Sequence, residues 1–238
     1  RVLFALGLAN SLDEMPYKHL SRADIGSDAT RQLNLEAARQ SLVLLKNEIV
    51  GGNPVLPLTA GMTIAVLGPL ASDANGMLSN YHPPSPPPGS THEIVTPADA
   101  LAAAGFNITV QKGASINLHG NPSDTVGMAK AVAAANASDA AVIFVGLDAG
   151  EEHESGDRNS TGAGLGLPGD QQALVDAVQQ VNQRVVVVLI HGGPVAMEHG
   201  NVPAIVDAHY PGAMGGLAIA DVLVGKFNPC GRLTSMVY

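Results

Sequence analysis

Apolar residues in this chain follow two rhythms. Continuous runs rich in β-branched residues occur at 62–68 (MTIAVLG), 107–113 (NITVQKG), 139–147 (DAAVIFVGL), 184–190 (RVVVVLI) and 203–210 (PAIVDAHY). Short runs that are apolar at successive positions fit strands buried on both faces. Most are separated by Ala-rich stretches of helix-favouring composition: TPADALAAAG, TVGMAKAVAAANA, GDQQALVDAVQQV and GGLAIADVLVG. Strands that alternate with helices predict the α/β class, as a three-layer α/β/α sandwich around a mostly parallel sheet of about five or six strands.

Ahead of the first run, DATRQLNLEAARQSLVLLKN sets Leu33, Leu35, Ala38, Leu42 and Leu45 near one face. That spacing predicts an amphipathic helix of about five turns, opened by Ser27 or Asp28 as its cap. Residues 1–27 carry no sustained periodicity and read as the tail of an upstream unit followed by a linker, which leaves 28–238 as the sandwich. With Arg1 first and neither an initiator Met nor a signal peptide, the sequence reads as a processed chain or a fragment.

The 46% hydrophobic content is ample for such a core. A formal charge of −9, with no Lys/Arg cluster, argues against nucleic acid and anionic membranes as partners. No apolar run approaches the ~18 residues of a membrane-spanning helix. The single Cys230 excludes an internal disulfide. Sequons at Asn107 (NIT), Asn136 (NAS) and Asn159 (NST) are candidate glycosylation sites and suggest a secreted, extracellular or cell-wall location.

In open α/β sheets, ligands bind beyond the carboxyl ends of the strands, so the loops there matter most. The loop at 148–168 is longer than a structural connection requires, and it gathers Glu151, Glu152, Glu154 and Asp157 with Arg158 beside them. Carboxylates this close raise one another's pKa, which keeps one protonated for service as a general acid; the competing reading is a solvated charged loop. The loop at 79–95 is stiffened by prolines and carries Tyr81. It reads as a polyproline-like connector, with Tyr81 as a candidate to line a sugar pocket.

No metal set is predicted. His153 lacks a second His at i+4, His191 and His199 stand eight apart, and no HExxH or cysteine pair is present. The glycines of GAGLGLPG follow a polar loop instead of a strand, so no dinucleotide fingerprint is present and no cofactor is predicted.

Several blocks, in order, resemble the α/β sandwich domain of glycoside hydrolase family 3: NLEAARQSLVLLKNE, IAVLGPLAS, GMLSNY with TPADAL, GLDAGEEHESGDR, LPGDQQALVDAV, LIHGGPVAM and HYPGAMGGLAIADVLVGKFNPCGRL. In its β-xylosidase-like branch the acidic block resembles E-x-E-x-x-D-R, with the second Glu as acid/base catalyst. The resemblance therefore implies Glu154 as that catalyst, Glu152 and Asp157 as neighbours that tune or position it, and Arg158 as a partner for a carboxylate. It makes Tyr81 and His153 candidates to line the substrate.

It also implies a carbohydrate substrate and a nucleophilic Asp in a preceding (β/α)8-type barrel, on the same or a separate chain. The whole would be a retaining exo-β-glycosidase, β-xylosidase-like, with β-glucosidase as the alternative. A non-catalytic carbohydrate-binding or structural module is a further alternative.

Overall fold

The computed structural model describes residues 24–82, 94–117, 123–154, 164–198 and 200–234, together with 19–21 and the isolated positions 2, 7 and 17. The chain divides into two compact units, Arg1–Leu33 and Asn34–Tyr238. Helix α1 (Asp28–Ser41) opens where Ser27 Oγ accepts the Thr30 amide at 3.3 Å, as an N-cap does.

Among the described residues, the larger unit carries a six-stranded sheet. Its strands are β1 (Val43–Asn47), β4 (Thr63–Leu67), β5 (Asn107–Gln111), β6 (Ala140–Gly146), β7 (Val185–Ile190) and β8 (Ala204–Asp207), in the order β1-β8-β7-β6-β4-β5. The strands β2 (Ile49–Val50) and β3 (Asn53–Pro54) form a separate small hairpin. All neighbours in the large sheet are parallel except β1 and β8. The α-helices bounded within the described residues are α1, α2 (Pro97–Ala103), α3 (Thr125–Asn136), α4 (Gln171–Gln179) and α5 (Gly215–Leu223).

The alternation of side chains along each strand builds both outer layers at once. Val142, Phe144, Val186, Val188 and Ile190 face a core shared with Leu35 and Ala38 of α1, Leu101 of α2 and Ile219 of α5. Their neighbours Ala141, Ile143, Val145, Val185 and Val187 face a second core with Ala131 of α3 and Leu174 and Val178 of α4. Strands covered on both faces need no polar positions, and every residue of β6 and β7 is buried. The sandwich and sheet expected from the sequence are both present.

One expectation is corrected. The helix at 28 ends at Ser41, and Val43–Asn47 becomes the antiparallel edge strand β1 against β8. Leu33 is exposed and Leu45 half-exposed, so the apolar face narrows to Leu35 and Ala38. Gly231 supplies part of the physical reason: its N–H donates to Leu42 O at 3.0 Å, and a Cβ there would lie 2.4 Å from Ser41 O. Pairing at the sheet edge and this close approach satisfy the backbone better than another helical turn, a tertiary override of local propensity.

At the other end of the sheet, Gly146 closes β6. A Cβ at this position would stand 1.8 Å from Ile190 O, so only glycine lets β6 and β7 run side by side to their ends. The buried Gln171 then serves as a substitute backbone partner, accepting from Gly146 N at 2.8 Å and donating to Gly146 O at 2.9 Å and Pro168 O at 3.0 Å. This anchors α4 to the strand end from which the acidic loop departs.

Candidate active site

Loops following β4, β6, β7 and β8 meet at the carboxyl edge of the sheet. They enclose a cleft of about 360 Å³ lined by Tyr81, Glu152, His153, Glu154, Gly192 and Tyr210, with Ser79 and Asn80 at its side. β4 has β5 on one side and β6 on the other, so the chain reverses its direction of travel across the sheet there. A crevice at such a switch is where open α/β sheets bind ligands.

The acidic loop begins with a tight turn. Asp148 Oδ1 accepts from Gly150 N at 2.8 Å and Glu151 N at 3.3 Å, and Asp148 O accepts from Glu152 N at 2.9 Å. Such side-chain-to-backbone bonding is why Asp suits the first position of a turn. The turn sends three successive acids in different directions. Glu151 is buried and accepts from the Asn117 amide. Glu152 receives three donors: Gly192 N at 2.8 Å and the Tyr210 hydroxyl at 2.8 Å on Oε2, and Gly193 N on Oε1. A Cβ at position 192 would meet Glu152 Oε2 at 3.0 Å and Tyr210 Cε2 at 2.9 Å, so Gly192 lets the carboxylate reach the backbone.

Glu154 is exposed. The Tyr81 hydroxyl donates to its Oε2 at 2.5 Å, and this bond to the carboxylate, with a little burial, holds the Tyr81 phenol above its ordinary value of 10.0. His153 turns its ring back onto the loop: Nδ1 lies 3.0 Å from Glu154 O, and since a carbonyl only accepts, Nδ1 is the donor. Asn80 adds a buried Oδ1 with no hydrogen-bond partner among the described residues. A ligand hydroxyl in the cleft would satisfy it.

Tyr81, Glu152, His153 and Glu154 thus line one cleft. Among the described carboxylates of the loop, Glu151, Glu152 and Glu154 each have donors of their own. Asp157, Arg158 and Asn159 lie outside the described residues. Asn107 and Asn136 are both exposed.

Sequence reasoning missed Tyr210, Gly192, Gly193 and Asn117, the groups that hold the loop. The blocks LIHGGPVAM and HYPGAMGG contain three of them, but nothing in their spacing says that they meet an acid 40 to 58 residues earlier. His191, whose spacing to His199 predicted no metal set, has neighbours on the adjacent strand. It sits at the end of β7 beside Asp207 and His209 at the end of β8.

Known proteins are similar in both sequence and fold. The glycosyl hydrolase family 3 C-terminal domain matches residues 42–238. The probable beta-D-xylosidase 7 of Arabidopsis thaliana is 37% identical over 240 residues, which takes in 98% of this chain and 29% of that protein. Among solved structures, a GH3 exo-beta-xylosidase (XlnD) in complex with a xylobiose aziridine activity-based probe superposes with a TM-score of 0.80. Its identity is 29%, over 97% of this chain and 28% of that one. A Bifidobacterium adolescentis GH3 beta-glucosidase gives a TM-score of 0.72 at 30% identity, over 89% of this chain and 29% of its own. The chain therefore spans less than a third of the length of each of these relatives.

Proposed function

Since the chain belongs to glycosyl hydrolase family 3, matching its C-terminal domain over 42–238, we propose that it supplies the general acid/base, Glu154, of a retaining exo-β-glycosidase of the β-xylosidase kind. The observation that carries this reading is the division of labour between Glu152 and Glu154. Three donors occupy Glu152, whereas Glu154 is exposed at the cleft with one hydroxyl donor beside it. A catalytic carboxyl must reach substrate and exchange a proton, and a group already engaged by three donors is poorly placed to do so.

Retaining hydrolysis needs two carboxyl groups on opposite sides of the glycosidic bond. The nucleophile is assigned to an Asp of an N-terminal barrel domain, on the same or a partner chain, which fits a chain that spans 29% of its Arabidopsis relative. In the first step that Asp bonds to the anomeric carbon as the glycosidic C–O bond breaks, and Glu154 gives its proton to the departing oxygen. In the second, Glu154 takes a proton from water as the water oxygen bonds to the same carbon and the Asp–carbon bond breaks. The sugar leaves with its β configuration restored.

Tyr81 and His153 line the sugar site in this reading, and Asp157 and Arg158 position the loop. A β-glucosidase reading is favoured by the fold match to the Bifidobacterium enzyme, and the two differ only in the sugar accepted.

The reading extends to a secreted glycoprotein. Asn107 opens β5, and Asn136 ends α3 just before β6, so both exposed sequons lie at the amino edge of the sheet, away from the cleft. Glycans there leave the site clear. Expression through a secretory route, followed by an endoglycosidase mobility shift, tests this; no shift, or one that Asn107→Gln with Asn136→Gln leaves intact, rejects these sites.

For the activity itself, the full-length protein is assayed on aryl β-xylosides and aryl β-glucosides. Glu154→Gln lowers turnover by about 10²- to 10⁴-fold with the fold intact, the usual contribution of one positioned acid/base. Azide then restores turnover on the activated substrates as the glycosyl azide of retained configuration. Unchanged turnover in Glu154→Gln overturns the assignment.

A further inference from the structure

His191, Asp207 and His209 form a polar cluster at the ends of β7 and β8, beyond any role in the glycosidase reading. His191 Nε2 lies 3.2 Å from Asp207 Oδ1, and His209 Nδ1 lies 3.4 Å from the same oxygen. The three atoms fall within 4.8 Å of one another. His191 and Asp207 are almost wholly buried, with side-chain exposures of 3% and 1%, whereas His209 reaches solvent at 32%.

Proton geometry restricts what this cluster can do. His191 Nδ1 stands 2.8 Å from Gly193 O, which only accepts, so Nδ1 carries a hydrogen and Nε2 is the nitrogen presented to Asp207. A bare Nε2 lone pair facing a carboxylate is repulsive. The approach is favourable only with a cation between them, either a proton or a metal ion. A histidine whose remote nitrogen is tied to a backbone carbonyl is also the arrangement that fixes tautomer and ring orientation in metal sites.

Two further observations point the same way. His209 has φ +50, the only positive φ among the described non-glycine residues, at the turn that brings its Nδ1 back to Asp207. Backbone strain of this kind collects where a side chain must be held for a ligand. Asp207 Oδ2 is buried without a hydrogen-bond partner among the described residues, which leaves an acceptor to spare. The two rings meet edge to face with centroids 5.3 Å apart, so their nitrogens converge without the rings stacking.

We propose that His191 Nε2, Asp207 and His209 Nδ1 bind one divalent first-row transition cation, with water completing its coordination from the side of His209. An ion about 2.0–2.2 Å from each ligand atom suits the 3.2 and 3.4 Å spacings to Asp207 Oδ1, and binding would hold the two ring nitrogens within about 4.4 Å of each other. Two imidazoles and one carboxylate favour zinc-like ions over magnesium or calcium, which prefer all-oxygen sites. His191 is followed directly by Gly192 and Gly193, whose amides hold Glu152, so the ion would also stiffen the strand end that carries them.

The test is zinc titration of the chelator-stripped full-length protein by calorimetry, and it needs no glycosidase activity. One equivalent of zinc binds, and His209→Ala weakens binding at least about 10-fold. Asp207→Asn risks the fold, so the decisive variant is the half-exposed His209→Ala, checked by circular dichroism. X-ray absorption of the zinc-loaded protein then finds two imidazoles and oxygen ligands. Absence of zinc binding, or binding that His209→Ala and His191→Gln leave unchanged, overturns the proposal and leaves the cluster as a proton-bridged pair.

Discussion

Strand β6 and the loop that leaves it are neighbours in sequence but are stabilised in opposite ways. All seven residues of Ala140–Gly146 are buried between two strands and two helical layers, and their side chains are held by apolar contact that has no directional demand. Within eight residues the chain carries Glu151, Glu152 and Glu154, each placed by directed bonds from other loops: Asn117 for the first, Gly192, Gly193 and Tyr210 for the second, Tyr81 for the third. The strand tolerates changes that keep volume, whereas the loop tolerates only changes that keep geometry. A site built this way gains precision from its rigid strand ends and keeps its chemistry on residues that the core does not need.

The largest effect expected is in the interior. Phe144 is fully buried, and Phe144→Ala should cost about 3–5 kcal/mol of unfolding free energy from the cavity it leaves. Urea unfolding reads this directly. A cost below about 1 kcal/mol would mean that β6 repacks freely, which would break the contrast with the loop.

Glu152→Ala comes next, and it separates the two regions by kind of damage. Removing the carboxylate leaves the Gly192 and Gly193 amides and the Tyr210 hydroxyl without their acceptor, at a cost of about 1–3 kcal/mol. On the reading proposed for the site, its larger consequence is for Glu154, two residues on, which would approach substrate from this loop. Turnover of the full-length enzyme on an aryl glycoside should therefore fall far more than stability does. Equal activity in Glu152→Ala would show that the loop is placed from elsewhere.

These two variants also mark what the sequence made legible. The interior was readable because a buried parallel strand must be apolar at every position, and the runs at 139–147 and 184–190 could satisfy no other environment. The helix at 28–41 was readable from Leu35 and Ala38, but its end was not. Val43–Asn47 has a helix-compatible pattern, and only β8, some 160 residues later, offers it an edge. The acids themselves were visible, and the family resemblance singled out Glu154 among them. Their partners were not, since Gly192 and Tyr210 are ordinary residues until folding lays the ends of β7 and β8 beside the loop. The same holds for His191: its spacing to other histidines was uninformative because its companions, Asp207 and His209, lie on the adjacent strand.

Tyr210→Phe is a smaller test of the same anchor. It removes one of three donors to Glu152 and keeps the ring, so stability should drop by about 1 kcal/mol in thermal or urea unfolding. Activity should fall by less than in Glu152→Ala, because the two glycine amides still hold the carboxylate. A Tyr210→Phe enzyme as impaired as Glu152→Ala would transfer the positioning role from the backbone donors to the phenol.

The smallest effect is a titration, and it probes the exposed side of the contrast. The Tyr81 hydroxyl donates to Glu154 Oε2, and ionising the phenol would lose that bond and set two negative charges side by side, so its pKa lies above 10.0. The sign is fixed by the direction: a pKa raised in the folded state means that the contact contributes below pH 10.0 and is lost as pH rises through the folded value. The chain has four tyrosines, so the Tyr81 step is isolated as the difference in tyrosinate absorbance between the parent and Tyr81→Phe. In the Glu154→Gln background that step should move down toward 10.0, because a neutral amide does not repel the phenolate. A step that stays where it was would mean that Tyr81 senses some group other than Glu154, and the hydroxyl contact would no longer join the two sides of the cleft.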